Sequence, residues 1–374
     1  MNIKTPLMTL AIFALWQSAA NAATSPHIYA NAVVANNIAA MQHSIAQNAM
    51  RTFEGAAAST LGGVARRASA PQPHPTVNPA DLYGSLPMYG RPHLYGEYGD
   101  DGSVAPEIST TGRNGGDDTR PVINSLWLNW QHFDEYIKFQ DHDRFDTNYD
   151  ILTAALAGGE AQWGIGISEW GLFGGYAGGN QKNEFLDMSE SGGYIGLYTG
   201  YNIQHFNLSI IANAGVISNN ASHEYGTDEF ANIWAGAALN ATYNIALDDT
   251  FTIQPGVYAG YTWVGSANYT SLSGDFIQNK NFNTFEIAPS IRALKHIGAG
   301  WFGYIGVKYV FMYETGGDVM VQDVKYNNLI ADNYAEYGIG IEKSIDRFNI
   351  AMHINRHDGG RTGWNGGLSL KYIF

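Results

Sequence analysis

The 374-residue chain contains no cysteine, so no disulfide holds it together. It is also poor in charge. Only 14% of its residues are Asp, Glu, Lys or Arg, and 20 basic side chains face 34 acidic ones, for a net charge of -14. A nucleic-acid partner requires a basic face, which this balance excludes. After Trp16 no apolar run approaches the about 20 residues that a membrane-spanning helix needs. The G-x-S-x-G elbow, the P-loop and H-E-x-x-H are all missing. The chain therefore reads as a non-enzyme, and no cofactor is implied. What it does have is glycine, 44 residues, and aromatics, with 23 Tyr and 9 Trp.

The N-terminus sets the compartment. Lys4 precedes an apolar run, Leu7–Trp16, and Ala20-Asn21-Ala22 stands before Ala23. This is the layout of a signal peptide over residues 1–22, cleaved between Ala22 and Ala23. Residues 23–70 follow as a helical segment. Ser25 and Pro26 suit an N-cap and first helical position. Ile28, Val34, Ile38, Met41, Ile45, Ala49 and Phe53 recur at helical spacing. The remainder is largely Ala, Asn and Gln, giving a weakly amphipathic helix expected to reach about Ala58, with Gly62-Gly63 beyond it. Residues 71–121 are a Pro/Gly/Tyr-rich linker, with Pro71, Pro73, Pro75 and Pro79 favouring extended chain. Tyr-Gly recurs there at Tyr83, Tyr89, Tyr95 and Tyr98.

From residue 122 to 374 the pattern changes to alternating runs, twelve in number, beginning with Val122–Lys138 and ending with Gly363–Phe374. Period-two alternation marks strands with one apolar and one polar face. Many runs reach the 9–11 residues that cross a bilayer at a tilt. Polar connections, such as Asn180–Gly192, Asn219–Asn232 and Thr315–Asn333, alternate with short ones, such as Gln204-His205 and Ile345–Arg347. Outer-membrane barrels show this rhythm, with long outer loops and short periplasmic turns. The charged residues Glu286, Arg292, Lys308, Glu336 and Lys371 keep to the polar parity and are assigned to the lumen. Trp263, Trp301, Tyr313, Trp364 and Tyr372 lie near strand ends, as interfacial girdles do. The fold class is thus an all-β transmembrane barrel of about twelve antiparallel strands, preceded by a helix and a linker. Pro289, which lacks a ladder donor, is expected to form a local bulge.

The barrel half resembles the translocator (β) domain of autotransporters, the type V secretion proteins of Gram-negative bacteria. The resemblance is carried in order by "FDTNYDILTAALAGGEAQWG", "EWGLFGGYAGG", "GGYIGLYTGYNIQHFNLSIIANAGVISNN", "FTIQPGVYAGYTWV" and the final "LSLKYIF". It implies an outer-membrane location, contact with membrane lipid, and passage through periplasmic chaperones and the barrel assembly machinery. That machinery recognises a terminal aromatic strand, matched here by Leu368, Leu370, Tyr372 and Phe374. It also implies that the barrel anchors the chain and translocates or displays its own short N-terminal segment. In the family a pore helix leads straight into the first strand; here the Pro/Gly-rich tract intervenes. Two other functions fit the same pattern. One is a surface barrel binding host or surface ligands through acidic outer loops, and the other is a narrow diffusion channel.

Two further groups of residues carry chemistry. Asp141, His142 and Asp143 in the first outer loop and His357-Asp358 in the last are solvated loop groups, with an acid–His site as the sharper alternative. Asn36-Asn37 resembles the asparagine pairs at which some family members cut themselves. Without the surrounding basic motif it is read as an ordinary helical pair.

Overall fold

Strand pairing in this chain closes on itself. The computed structural model describes residues 26–68, 123–139, 144–158, 161–163, 166–203, 205–327 and 329–374. The signal-peptide residues with Ala20, Ala22 and Ala23, the linker 71–121 with its tyrosines, and Asp141, His142 and Asp143 lie outside these residues.

Among the described residues, twelve long antiparallel strands form the barrel wall. They are β1 (Ile123–Lys138), β2 (Arg144–Gly158), β3 (Gly166–Lys182), β4 (Asp187–Ile203), β5 (Phe206–His223) and β6 (Gly226–Tyr243). They continue as β7 (Phe251–Val264), β8 (Phe282–Gly298), β9 (Trp301–Gly316), β10 (Tyr334–Ile345), β11 (Phe348–Gly359) and β12 (Arg361–Ile373). Each pairs with its sequence neighbours, and β12 pairs with β1 from Ser125↔Ile373 to Ile137↔Arg361. No edge is left open, which is the condition for a sheet to span hydrocarbon. The final Phe374 N–H donates to the Asn124 carbonyl at 2.9 Å, so the terminus is tied to the start of β1.

The faces segregate as the alternation requires. Leu128, Leu152, Leu172, Ile195, Ile210 and Ile339, each from a different strand, point outward and are exposed. Their neighbours on the other parity are buried in the lumen, among them Asn129, Thr153, Glu190, Ser209 and Lys308. An exposed belt of large apolar side chains around a closed barrel is a surface built for lipid. Among the described residues no helix is long and apolar enough to cross a membrane.

Three expectations are corrected. Asn180–Gly192 and Asn219–Asn232 are largely strand rather than loop, with pairs such as Asn180↔Ser189 and Ser218↔Ala231 and tight turns between strands. Strands of 17 and 18 residues outrun the bilayer, and beyond it the outer face meets water, so hydrophobic alternation fades while pairing continues. Pro289 forms no bulge. It stands in register opposite Val257, and the ladder to β9 lacks rungs at Ala288 and Pro289 but resumes unshifted at Ser290↔Lys308. The missing N–H is absorbed as a gap on one side. Finally, helix α1 runs over Pro26–Ala68, through Gly62-Gly63 rather than ending near Ala58.

The lower, periplasmic turns are tight. Ala299 and Asp346 adopt left-handed φ of 48° there. At the upper, outer end the two longest connections contribute short strands, Asn268–Thr270, Phe276–Asn279, Val319–Val321 and Val324–Tyr326, which pair into a small four-stranded sheet. Glycine and tyrosine abundance has a shared cause in the lumen. Rings lie flat over glycines of the adjacent strand. A β carbon at Gly171 would fall 2.3 Å from the Tyr198 ring, and one at Gly175 would fall 2.4 Å from the Tyr194 hydroxyl.

Candidate functional site

Helix α1 lies inside the barrel. From Tyr29 to Met50 nearly every side chain is buried, on all sides of the helix. That explains its weak amphipathicity: a helix enclosed by a wall has no solvent face to mark. Val33, Val34, Ile38, Met41 and Ile45 belong to one buried cluster with Phe133, Phe145, Ile151, Phe173 and Ile211 of the wall. The lumen is thus a packed core and not a purely polar channel.

The helix has a defined direction. Its first turns sit at the outer end, where Asn31 Nδ2 donates to the Gly317 carbonyl at 3.1 Å, just above β9. Its middle meets the strand centres, where Ser44 Oγ donates to Gln131 Oε1 (2.5 Å) and Asn48 Nδ2 to Asn129 Oδ1 (3.1 Å). Arg51 then stands over the Tyr304 ring near the base of β9, 5.8 Å from its centre. The backbone continues for a further 17 residues to Ala68, roughly 25 Å at helical rise.

A chain of charged groups links helix and wall at mid-lumen. On the helix, His43 Nε2 accepts from Lys308 Nζ at 2.9 Å, and His43 Nδ1 donates to Glu286 Oε2 at 2.8 Å. Lys308 pairs with Glu336 (2.8 Å), and His357 bridges Glu336 (3.0 Å) and Glu135 (2.7 Å). Arg361 donates to Glu135 through Nε (3.0 Å) and Nη2, and through Nη1 to the Asn36 carbonyl at 3.2 Å. The network begins and ends on the helix. Buried ion networks add little net stability, yet they punish misalignment, because each charge left alone is costly. This one fixes the rotation and depth of the helix.

The residues assigned to the lumen from sequence fall as follows. Glu286, Lys308 and Glu336 lie in the network just described. Arg292, lower in the lumen and part-buried, donates to Gln254 (2.8 Å through Nε) and covers Tyr304. Lys371 is buried 3.6 Å from Glu169, which also accepts from the Tyr198 hydroxyl at 3.1 Å. His357 belongs inside, not in an outer loop: β11 extends to Gly359 and turns the imidazole toward Glu135 and Glu336. Asn36 and Asn37 are buried in the lumen. Asn36 Nδ2 donates to the Ala32 carbonyl (3.0 Å), an intrahelical bond, and Asn37 Nδ2 faces Glu190 Oε2 at 3.5 Å. Sequence reasoning missed Glu135, Arg361 and His43. Parity could have found Glu135, which shares its face with Gln131, but Trp127 and Phe133 on that face hide its polarity. Leu368 and Phe374 are exposed on the outer surface, and the Phe374 ring meets Tyr372 edge-on at 5.4 Å.

At the outer end a second cluster forms. His27 of α1, His223 of β5 and Asp228 of β6 place one ligand-type atom each within 4.8 Å of one another. His27 Nδ1 is 3.3 Å and His223 Nε2 3.1 Å from Asp228 Oδ2. This group projects beyond the lipid belt, beside the two-residue turn of β5–β6. Burial lowers the His27 pKa, opposed by Asp228 and reinforced by His223.

No protein-family model matches the chain, and no curated protein does. Solved structures do. The chain is similar to the β domain of the Bordetella autotransporter BrkA (14% identity, TM-score 0.56, 68% of this chain and 100% of that one). It is similar to the transport unit of the autotransporter AIDA-I from Escherichia coli (17% identity, TM-score 0.58, 70% and 93%). A third is the translocator domain of the autotransporter NalP from Neisseria meningitidis (12% identity, TM-score 0.51, 69% and 90%). At these identities the likeness establishes the fold, a closed twelve-stranded barrel like those of autotransporter β domains.

Proposed function

We propose that this protein anchors in the outer membrane as a barrel and translocates or displays its own short N-terminal segment, held as a helix in the lumen with its N-terminal end toward the outer mouth. The observation that carries this reading is the direction of α1, fixed by contacts at Asn31, His43 and Asn48 with progressively lower levels of the wall. A chain threaded this way delivers its N-terminal end outward and its C-terminal end toward the start of β1. The domain reading is a signal peptide (1–22), a helical segment (23–70), a Pro/Gly/Tyr-rich linker (71–121) and the barrel (122–374).

A diffusion channel is disfavoured by the packing of that helix, whose buried side chains form one cluster with the wall. Ion conductance tests this. Full-length barrel in planar bilayers is expected to conduct little, and deletion of residues 26–68 to raise conductance severalfold. Equal conductance in the two proteins would overturn the plugged reading.

The outer loops support a surface-binding role as a second reading. Tyr225, Leu272 and Phe276 are large, exposed apolar side chains above the lipid belt, beside the short outer sheet. The terminal strand supports delivery to the barrel assembly machinery, with Leu368, Leu370, Tyr372 and Phe374 as its signal. Phe374→Ala is expected to lower the amount of barrel inserted in cells severalfold while leaving refolded barrel as resistant to urea as the parent. A parallel loss of urea resistance would make Phe374 a packing residue instead.

A further inference from the structure

We propose that His27, His223 and Asp228 form a binding site for a divalent transition cation, zinc by chemistry, that clasps the outer end of the luminal helix to the β5–β6 hairpin. Two imidazoles and one carboxylate are the donor set that zinc takes up readily. The spacing suits it. Bonds of about 2.0–2.2 Å around a tetrahedral ion separate ligand atoms by roughly 3.3–3.5 Å. The observed separations from Asp228 Oδ2 are 3.3 Å to His27 Nδ1 and 3.1 Å to His223 Nε2.

The surroundings hold these donors in place. Asp228 Oδ1 accepts from the Leu272 N–H at 3.0 Å, leaving Oδ2 free to face the rings. A carboxylate oriented through its second oxygen is the usual support of a metal ligand. The side chains of all three residues are buried, and the Tyr269 hydroxyl stands 3.4 Å from His27 Nδ1, where it or a water supplies a fourth donor. Tyr269 is itself fixed by stacking on Phe230, ring centres 4.8 Å apart.

Loading has a definite proton balance. Both liganding nitrogens bind as neutral imidazole, so the proton on each moves to the other ring nitrogen. At His223 that nitrogen, Nδ1, now accepts from the Tyr225 N–H at 3.2 Å, and this contact is given up on binding. Tyr225 lies in a two-residue turn and is exposed, so its N–H turns to water. The clasp joins residues 196 and 201 positions apart in the chain, one side on the helix and the other on the wall. Metal loading therefore resists withdrawal of the helix, through linkage of binding to the seated state. The inference requires the helix to be seated in the lumen, and it stands whether or not the helix is exported there.

The test uses tag-free, detergent-folded protein lacking only the signal peptide, stripped with chelator and titrated with zinc chloride by calorimetry. The parent is expected to bind one zinc per chain at micromolar affinity or tighter. H27A and H223A are each expected to weaken this at least tenfold, and H205A, at a periplasmic turn, to leave it unchanged. Zinc is also expected to raise the thermal midpoint of the parent and not that of H223A. His223 lies on the hairpin rim, so its substitution keeps the test meaningful even where H27A disturbs folding. No stoichiometric binding in the parent, or equal binding in the parent and H223A, would overturn the proposal. Because the readout is binding, it fails independently of any test of helix orientation.

Discussion

His43 on the luminal helix donates to Glu286 on β8 at 2.8 Å, although 243 positions separate them in the chain. Glu286→Ala removes the acceptor and leaves His43 and Lys308 facing each other without a carboxylate between them on that side. Breaking a buried charged network costs about 3–5 kcal/mol. Glu286→Gln keeps an acceptor and costs less. Urea unfolding of the detergent-folded barrel should rank parent, Gln and Ala in that order, and protease should cut the helix fastest in the Ala variant.

Two isoleucines on neighbouring strands test the assignment of faces. Ile195 is 74% exposed on the outer surface and Ile211 is fully buried in the lumen. Ile195→Lys should cost about 2–4 kcal/mol in lipid bilayers, since it puts a charge in hydrocarbon. Ile211→Ala should cost about 2–5 kcal/mol by opening a cavity in the packed lumen. Ile195→Ala should be milder than either. Equilibrium unfolding from liposomes measures all three.

Gly175 is the clearest steric requirement in the wall. A β carbon there would fall 2.2 Å from the Leu152 carbonyl oxygen and 2.4 Å from the Tyr194 hydroxyl. Gly175→Ala forces the Tyr194 ring away and breaks its hydroxyl contact with Thr153, now 2.5 Å. A loss of about 1–3 kcal/mol is expected. Pairing it with Tyr194→Ala should recover part of that loss, a non-additivity that unfolding of the four proteins would show.

Much of the wall was legible in the sequence because lipid on one side and lumen on the other impose a period of two. All twelve strands announce themselves this way, and Glu286, Lys308 and Glu336 were assignable by parity. The same rule failed where its physical cause ends. Beyond the lipid belt, Asn219, Asn220 and Glu229 remain in strands whose outer face meets water, and they read as loop. His357 read as loop for the same reason. The helix was visible, but its seat was not. Asn31, Gln42 and Asn48 look like a solvated face until a polar wall surrounds them. Asn31 and Asn48 bond to the β9 end and to β1, and Gln42 packs against Gly236 of β6, all far apart in sequence, so no local pattern marks them.

The central claim is that the helix threads the lumen with its N-terminal end outward. The chain has no cysteine, so single thiols report position without background. Thr24→Cys and Ala68→Cys flank the helix, and a membrane-impermeant maleimide applied to intact cells reads which end faces out. The account predicts labelling of the cysteine at 24 on intact cells, and of the one at 68 only after the outer membrane is opened. Labelling at 68 on intact cells, with 24 protected until the membrane is opened, would contradict it.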